Sequence, residues 1–488
     1  MVLLATSATA QAAISWDGGG SSMWWFDPAN WSRQTDPGGP FLPPSQGQPV
    51  FATDAQINGV GGAPQTMGAE VVYDPANDPF FDAADDLAYP TGSVLTTSPS
   101  VMRDYGPQTI YRLYISRNTT NANVLRILSG DLAIESTTII GRSGSTAEAQ
   151  NLGMVIQEGG SLRLPLENLD LGNRETSGWG NGTYDYHGGI LEVALEGDVG
   201  IRLSAGGSAG TGGVGKFIMR NPATGGRVRT FDFEVSSHGG NGDGMTTGVG
   251  IVELHFENGG VQPIQLQRNL VINNGLDDDM AGVHSARLDL KLDAAPSLTG
   301  GVPQNLGLFD VNFGDVFAGI ITGSGDLGNV FSNVDASDTY EEGDTVSAVF
   351  GSTRYDWTIT YTGNITWTDA DNSVVDAITG PGTGSDVVLI GSGSETIAVD
   401  NADFDGDGDV DGADFLTWQR NLGMSAGQTG GDANNSGTVG AADLGIWQEQ
   451  FSAAAATATI ATVPEPGVAG LLLAALLASL PAARKRAH

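Results

Sequence analysis

The chain has 488 residues, 72 of them glycine, with 21 Lys and Arg against 57 Asp and Glu and a net charge of −36. That length provides for two to four domains and a sizeable core, and the charge excludes a nucleic-acid partner, because phosphate binding requires clustered Lys and Arg. Cysteine is absent and the five histidines are scattered, which excludes disulfides, thiolate catalysis and Cys-ligated zinc and argues against a zinc hydrolase.

The chain opens on MVLLATSATAQAAISWDGG. Ala10-Gln11-Ala12 has the small-residue pattern cut by signal peptidase, so residues 1–13 read as the truncated tail of a secretory signal, with a frayed Ala-rich terminus as the alternative. WDGGGSSMWWFDPANW follows at 16–31. Trp16, Trp24, Trp25 and Trp31 read as a cap over the first turn of a stacked β structure; a sugar-stacking platform is the other reading. The stretch resembles the Trp-rich opening of many exported bacterial β-solenoid proteins, particularly from planctomycetes. Residues 14–115 are assigned to this cap and a β region.

A repeat then sets in. SGDLAI (129–134), GGSLRL (159–164) and GGILEV (188–193) align on Gly130, Gly160 and Gly189, about 30 residues apart. TIIG (138–141) and LDLG (169–172) follow the first two at matching offsets, and GGVQPIQL (259–266) continues the pattern less regularly. Each unit reads as turn, strand, turn, strand. One unit cannot bury its own apolar face, whereas stacked units share a continuous core, so a right-handed β-solenoid is expected over 116–295, with a β-sandwich as the alternative. Residues 296–400 break the period. Alternation over Val346–Phe350 and Trp357–Trp367, and the apolar run SDVVLIG at 385–391, predict a small antiparallel β domain or a solenoid end cap.

DFDGDGDVDGAD, residues 403–414, fits a twelve-residue calcium-loop pattern. Asp403, Asp405 and Asp407 hold positions 1, 3 and 5, with Gly408 at the sharp turn of position 6. Asp409 at position 7 offers its carbonyl, Val410 at 8 pairs loop with loop, Asp411 at 9 reaches the ion through water, and Asp414 closes the shell at 12. The pattern recurs 29 residues later in DANNSGTVGAAD, where Asp432, Asn434, Ser436, Thr438 and Asp443 take positions 1, 3, 5, 7 and 12. A helix follows each loop, with Phe415, Trp418 and Leu422 on one face and Leu444, Trp447 and Phe451 on the other's. Two Ca2+ ions are expected, the first loop binding more tightly because it carries more carboxylates.

The duplicated unit (401–452) resembles a type I dockerin, in lacking an entering helix and in having Asp rather than Glu at position 12. The resemblance implies a cohesin-like protein partner, often within polysaccharide-degrading assemblies, and so an extracellular polysaccharide as a further partner. Gly412-Ala413 and Ala441-Ala442 are small where dockerins often carry hydroxyls, which leaves the partner open. After a linker (453–462) comes VPEPGVAGLLLAALLASLPAARKRAH. Pro464-Glu465-Pro466, an apolar helix over 467–480 and the basic Arg484, Lys485 and Arg486 resemble the PEP-CTERM sorting signal (463–488). That resemblance implies an exosortase-type processing enzyme, export to the cell surface or beyond, and only transient contact with the membrane; a plain tail anchor is the alternative.

The expected fold class is therefore mainly β: a right-handed β-solenoid with a small antiparallel β domain, a small α-helical calcium module and a C-terminal apolar helix. No catalytic residue stands in a recognisable motif. The best candidate stretch is 276–293, with Asp277, Asp278, Asp279, His284, Arg287 and Lys291, although an acidic turn before an alternating strand is the favoured reading of it. Two functions follow: a non-catalytic exported surface or matrix protein, or a secreted polysaccharide lyase or glycoside hydrolase carrying a dockerin.

Overall fold

The computed structural model describes residues 14–16, 22–33, 54–57, 69–81, 94–97, 100–103, 109–117, 122–142, 152–172, 180–195, 200–204, 213–220, 226–236, 248–257, 260–273, 275–276, 283–311, 319–322, 330–333, 336–368, 374–396, 401–407, 409–434 and 436–457. They fall into two compact units, divided between Glu395 and Thr396. The signal tail, the linker from 458 on, the PEP-CTERM stretch and its apolar helix lie outside these residues. None of the helices described is long and apolar enough to cross a membrane.

The first unit is a β-solenoid. Its most regular turns run through Arg112–Arg117, Asn123–Ile127 and Asp131–Ile134, then Thr138–Arg142, Leu152–Gln157 and Ser161–Leu164, then Leu169–Leu171, Asn181–Tyr186 and Ile190–Val193. Each strand pairs in parallel with the strand one turn on, which makes three columns. Alternation along each strand sends every second residue inward. In one column Val71, Leu125, Val155, Tyr184, Phe217, Val252 and Leu288 stack in register, all at most 3% exposed.

The repeated glycines sit at the corner between two columns. Gly130, Gly160 and Gly189 adopt φ of +82°, +63° and +87°, where a side chain is strained, and a Cβ on Gly189 would lie 2.3 Å from the Gly160 carbonyl oxygen. At another corner the same left-handed backbone is taken by Ser116, Gly141, Gly172, Ser204 and Ser236 in turn. Ser204 and Ser236 donate their hydroxyls to the Gly213 and Gly248 carbonyls at 2.7 and 2.9 Å, so a local hydrogen bond offsets the strain where glycine is missing.

The stack exceeds the 116–295 expected for it. Ile14–Trp16 pairs in parallel with Asp54–Ile57, which pairs with Arg112–Arg117, so the region before 116 already belongs to the parallel columns. Over it, Trp16, Trp25 and Trp31 are at most 1% exposed and pack edge to face, with ring centroids 5.3 Å apart for Trp16–Trp31 and 4.9 Å for Trp25–Trp31. Three of the four tryptophans thus fill the end of the core and present no sugar-stacking face. At the other end, Ile264–Ile272 pairs in parallel with both Leu306–Asp310 and Gly319–Thr322. The region expected as a small antiparallel domain or an end cap is joined to the stack, as an end cap would be. Leu306–Asp310 also pairs antiparallel with Asp386–Thr396, and Thr353–Trp367 pairs antiparallel with Thr345–Phe350 and Val375–Thr379. Asp386 pins this seam. Its carboxylate accepts from the Val311 and Ile365 amides at 2.9 and 2.6 Å, and burial pushes its carboxyl up to about 6 against those two hydrogen bonds.

The second unit contains α1 (Gly412–Asn421) and α2 (Ala441–Thr457), each preceded by an acidic loop. Its core is small: Ala402, Phe404, Trp418, Ala433 and Val439 are its buried apolar residues.

Candidate metal centre

The two loops are built on one frame. The position-12 aspartates are buried, 0% exposed at Asp414 and 1% at Asp443. Asp414 Oδ1 accepts from the Asp405 amide at 3.2 Å and Oδ2 from the Asp411 amide at 2.8 Å. Asp443 does the same 29 residues on, accepting from the Asn434 amide at 3.2 Å and the Gly440 amide at 2.7 Å. Each carboxylate thereby folds its loop back so that positions 3 and 9 face position 12. The helices answer each other as well. Trp418 Nε1 donates to the Gly440 carbonyl and Trp447 Nε1 to the Asp411 carbonyl, both at 2.8 Å, so each helix holds position 9 of the other loop.

In the first loop, one carboxylate oxygen from each of Asp403, Asp405 and Asp414 lies within 4.8 Å of the others. An all-oxygen set of this spacing, three carboxylates around one point, fits a hard divalent cation such as calcium, and it fits no soft one. Asp407 and Asp409 do not join the triad. They are exposed and spaced along the loop, where Asp407 Oδ1 accepts from the Asp409 amide at 3.2 Å. The neighbouring Asp407 carboxylate, then desolvation and Asp411, hold the Asp409 carboxyl above its ordinary value. The Asp405 carboxyl is also raised, by desolvation and, against a backbone hydrogen bond, by Asp407, Asp414 and Asp403. Asp411 caps α1: its Oδ1 accepts from the Ala413 amide at 2.7 Å and Asp414 reciprocates, a capping box. Gly408 lies outside the described residues.

In the second loop Asp432 turns inward and is 1% exposed. It accepts from the Ser436 amide and hydroxyl and, through Oδ2, from the Gly437 amide at 2.7 Å, with Gly437 at φ +85° making the sharp turn of position 6. Asn434 Oδ1 accepts from the Ser436 amide at 3.0 Å, and Thr438 offers its carbonyl to the Ser436 hydroxyl. With two carboxylates among its ligand positions, this loop is the weaker cation site on charge alone.

Two details differ from expectation. Val439 exchanges backbone hydrogen bonds with Gly423 and Met424, just past α1, rather than with Val410 of the other loop. The face of α1 is also shorter than predicted: Phe415 packs on Trp418 and Trp447 but Leu422 is 52% exposed, whereas on α2 Phe451 stacks on Trp447 with ring centroids 4.9 Å apart. Leu422 is already the C-cap of α1, where the chain has left the helix.

The stretch 276–293 does not assemble a site among the described residues. Asp277, Asp278 and Asp279 lie outside them, as does the side chain of His284, while Arg287 donates to Ser285 Oγ and Lys291 pairs with Asp289 at 2.9 Å. A second cluster escaped the sequence reading. His255, Glu257 and Asp293 bring ligand atoms within 4.8 Å of one another on the solenoid flank. The available signal was periodic rather than local: His187, Arg220, His255 and Lys291 recur about 35 residues apart, one per turn.

No protein-family model, curated protein or solved structure matches this chain.

Proposed function

We propose that this is an exported, non-catalytic surface or matrix protein, in which a β-solenoid spacer carries a C-terminal, calcium-ordered docking module of dockerin type. The observation that carries the reading is the convergence of Asp403, Asp405 and Asp414 in a loop whose frame is repeated, contact for contact, around Asp443. A bare acidic linker has no reason to repeat its tryptophan-to-carbonyl hydrogen bonds. Each loop takes one Ca2+, the first through Asp403, Asp405 and Asp414 and the second through Asp432, Asn434, Ser436 and Asp443. The solenoid winds right-handed, the hand that parallel crossovers adopt. The Pro464-Glu465-Pro466 tail addresses the protein to an exosortase-type enzyme, and the docking module takes a cohesin-like partner in a polysaccharide-binding or polysaccharide-degrading assembly.

Calorimetry of the full chain with CaCl2 tests the core of this. Two sites are expected in the wild type and one in each of Asp414→Ala and Asp443→Ala. Absence of heat in the wild type, or two sites surviving in both variants, would refute it.

The rival reading, a polysaccharide-degrading enzyme, draws on the acids and bases of the solenoid flank. There several carboxylates are already tied to a cation: Asp185 to Arg220 at 2.9 Å, Glu253 to Lys216 at 2.6 Å and Asp289 to Lys291 at 2.9 Å. Such pairing favours structure over acid–base chemistry. Release of reducing ends or unsaturated products from pectins, alginates or sulfated glycans would reverse that preference.

A further inference from the structure

The flank cluster is a second gathering of ligand-type side chains, apart from the acidic loops. His255 stands near the end of Gly248–Phe256, with its side chain on the outer face of the column. Glu257 follows two residues later on the same side, past the strand end. Asp293 comes just after Val283–Leu292 on the neighbouring turn, and its amide donates to the Phe256 carbonyl at 3.0 Å, which extends the ladder. Two successive turns of the solenoid therefore deliver three ligand-type side chains to one point, without a loop of their own.

The imidazole is oriented from behind. Nε2 lies 2.8 Å from Glu253 Oε1, and Lys216 Nζ holds the other Glu253 oxygen at 2.6 Å. Nδ1 faces Glu257 and Asp293 and lies 2.5 Å from Asp293 Oδ2, so the ring donates to a carboxylate on each side, and an ion that binds Nδ1 takes the place of its proton, which leaves to solvent. A carboxylate behind one ring nitrogen and ligand oxygens before the other is the arrangement in which histidine binds metals, because the rear carboxylate fixes the ring and raises its basicity. Glu257 and Asp293 are 28% and 42% exposed at their side chains, which leaves the outward side open to water.

Nitrogen in the donor set selects against calcium, which takes oxygen, and toward zinc and its neighbours. Among the described residues, Arg220 brings a further cation to this point. Its Nη1 lies 3.1 Å from His255 Nδ1, 3.8 Å from Glu257 and 3.7 Å from Asp293. Its Nε and Nη2 stay on Asp185 at 2.9 and 3.4 Å. An arriving ion displaces one nitrogen of the guanidinium and leaves its anchorage on Asp185 intact.

We propose that His255, Glu257 and Asp293 form a binding site for a divalent transition-metal ion of the zinc class, which clamps two successive turns of the solenoid and competes with Arg220 for their carboxylates. The site is independent of the acidic loops, so either can fail alone. The test is zinc titration of the full chain in excess calcium, which keeps the acidic loops engaged, with the absorption spectrum of Co2+ as a report on nitrogen ligation. One zinc ion is expected in the wild type. His255→Gln and Glu257→Gln should abolish it, Glu253→Gln should weaken it about tenfold or more, and Arg220→Gln should tighten it several-fold. Glu257 lies beyond the strand end, so its variant keeps the test valid if His255→Gln fails to fold. No zinc uptake by the wild type, equal uptake by wild type and Glu257→Gln, or weaker binding by Arg220→Gln would each overturn the proposal.

Discussion

The two units reach a stable fold by different physics. In the solenoid, every turn adds inward residues such as Tyr184, Phe217 and Val252 to a column already dry, and burial of each contributes about 1.5–3 kcal/mol irrespective of pH or ions. Among its described residues the C-terminal unit has five buried apolar ones and, beside them, the nearly inaccessible carboxylates of Asp414, Asp432 and Asp443. A buried carboxylate costs several kcal/mol unless it is paired or hydrogen-bonded. Amides meet part of that cost here, and under the proposed function a cation meets the rest. The lesson is that repetition can serve opposite ends: stacking like apolar residues makes a body that needs no ion, while gathering like charges makes a module whose stability is open to one.

The comparison breaks most directly at the core of the solenoid. Phe217→Ala, which empties a fully buried position between Tyr184 and Phe233, should cost about 3–5 kcal/mol. Calorimetric unfolding should show the same loss in calcium and in chelator; a loss confined to one condition would mean the two units are not energetically distinct. The reverse experiment removes calcium. At a free concentration of 1,000 times Kd each occupied loop gains about 4 kcal/mol, so chelation should lower the transition of the helical unit and leave that of the solenoid in place. Circular dichroism at the helix band, followed with temperature, reads this out.

A smaller effect concerns pH within the solenoid unit itself. The Asp386 carboxyl is raised to about 6, so the native state holds the proton more tightly than the unfolded chain does. Its contribution is fully present below pH 3.8, the ordinary value, and is lost as pH rises through about 6, on the order of 2 kcal/mol. Asp386→Asn should flatten stability against pH over that window; an unchanged slope would place the titration elsewhere. The smallest difference separates the two loops. The first should bind calcium about tenfold more tightly, or 1.4 kcal/mol, and equal sites or a tighter second loop would show that shared frame outweighs carboxylate number.

Much of this was legible in the residues. The alignment on Gly130, Gly160 and Gly189 located three corners, since only a left-handed turn repeats glycine at a fixed offset between short apolar runs. The two loops and the helices after them were visible for the same reason: their contacts are local, position 12 reaching back to positions 3 and 9. The ends of the stack were less so. Ile14–Trp16 and Leu306–Asp310 join it through backbone pairing with strands distant in sequence, which carries no residue signature. The 30-residue period also lengthens toward 35 beyond residue 190, which hid the vertical alignment of His187, Arg220 and His255. Pairing of Val439 with Gly423 and Met424 escaped likewise, because the loop pattern fixes ligand positions but not which backbone lies alongside.

By itself, then, the sequence determined the periodic elements: inward alternation, glycine corners, and carboxylates spaced to converge within a twelve-residue loop. These depend on neighbours a few bonds away. Tertiary structure alone decided which charges meet across turns. Asp293 reaches His255 only because parallel register sets residue 255 beside residue 291, and the Trp418 and Trp447 indoles cross only because the two loop–helix units pack against each other. Register and packing are properties of the whole stack, and no stretch of chain contains them.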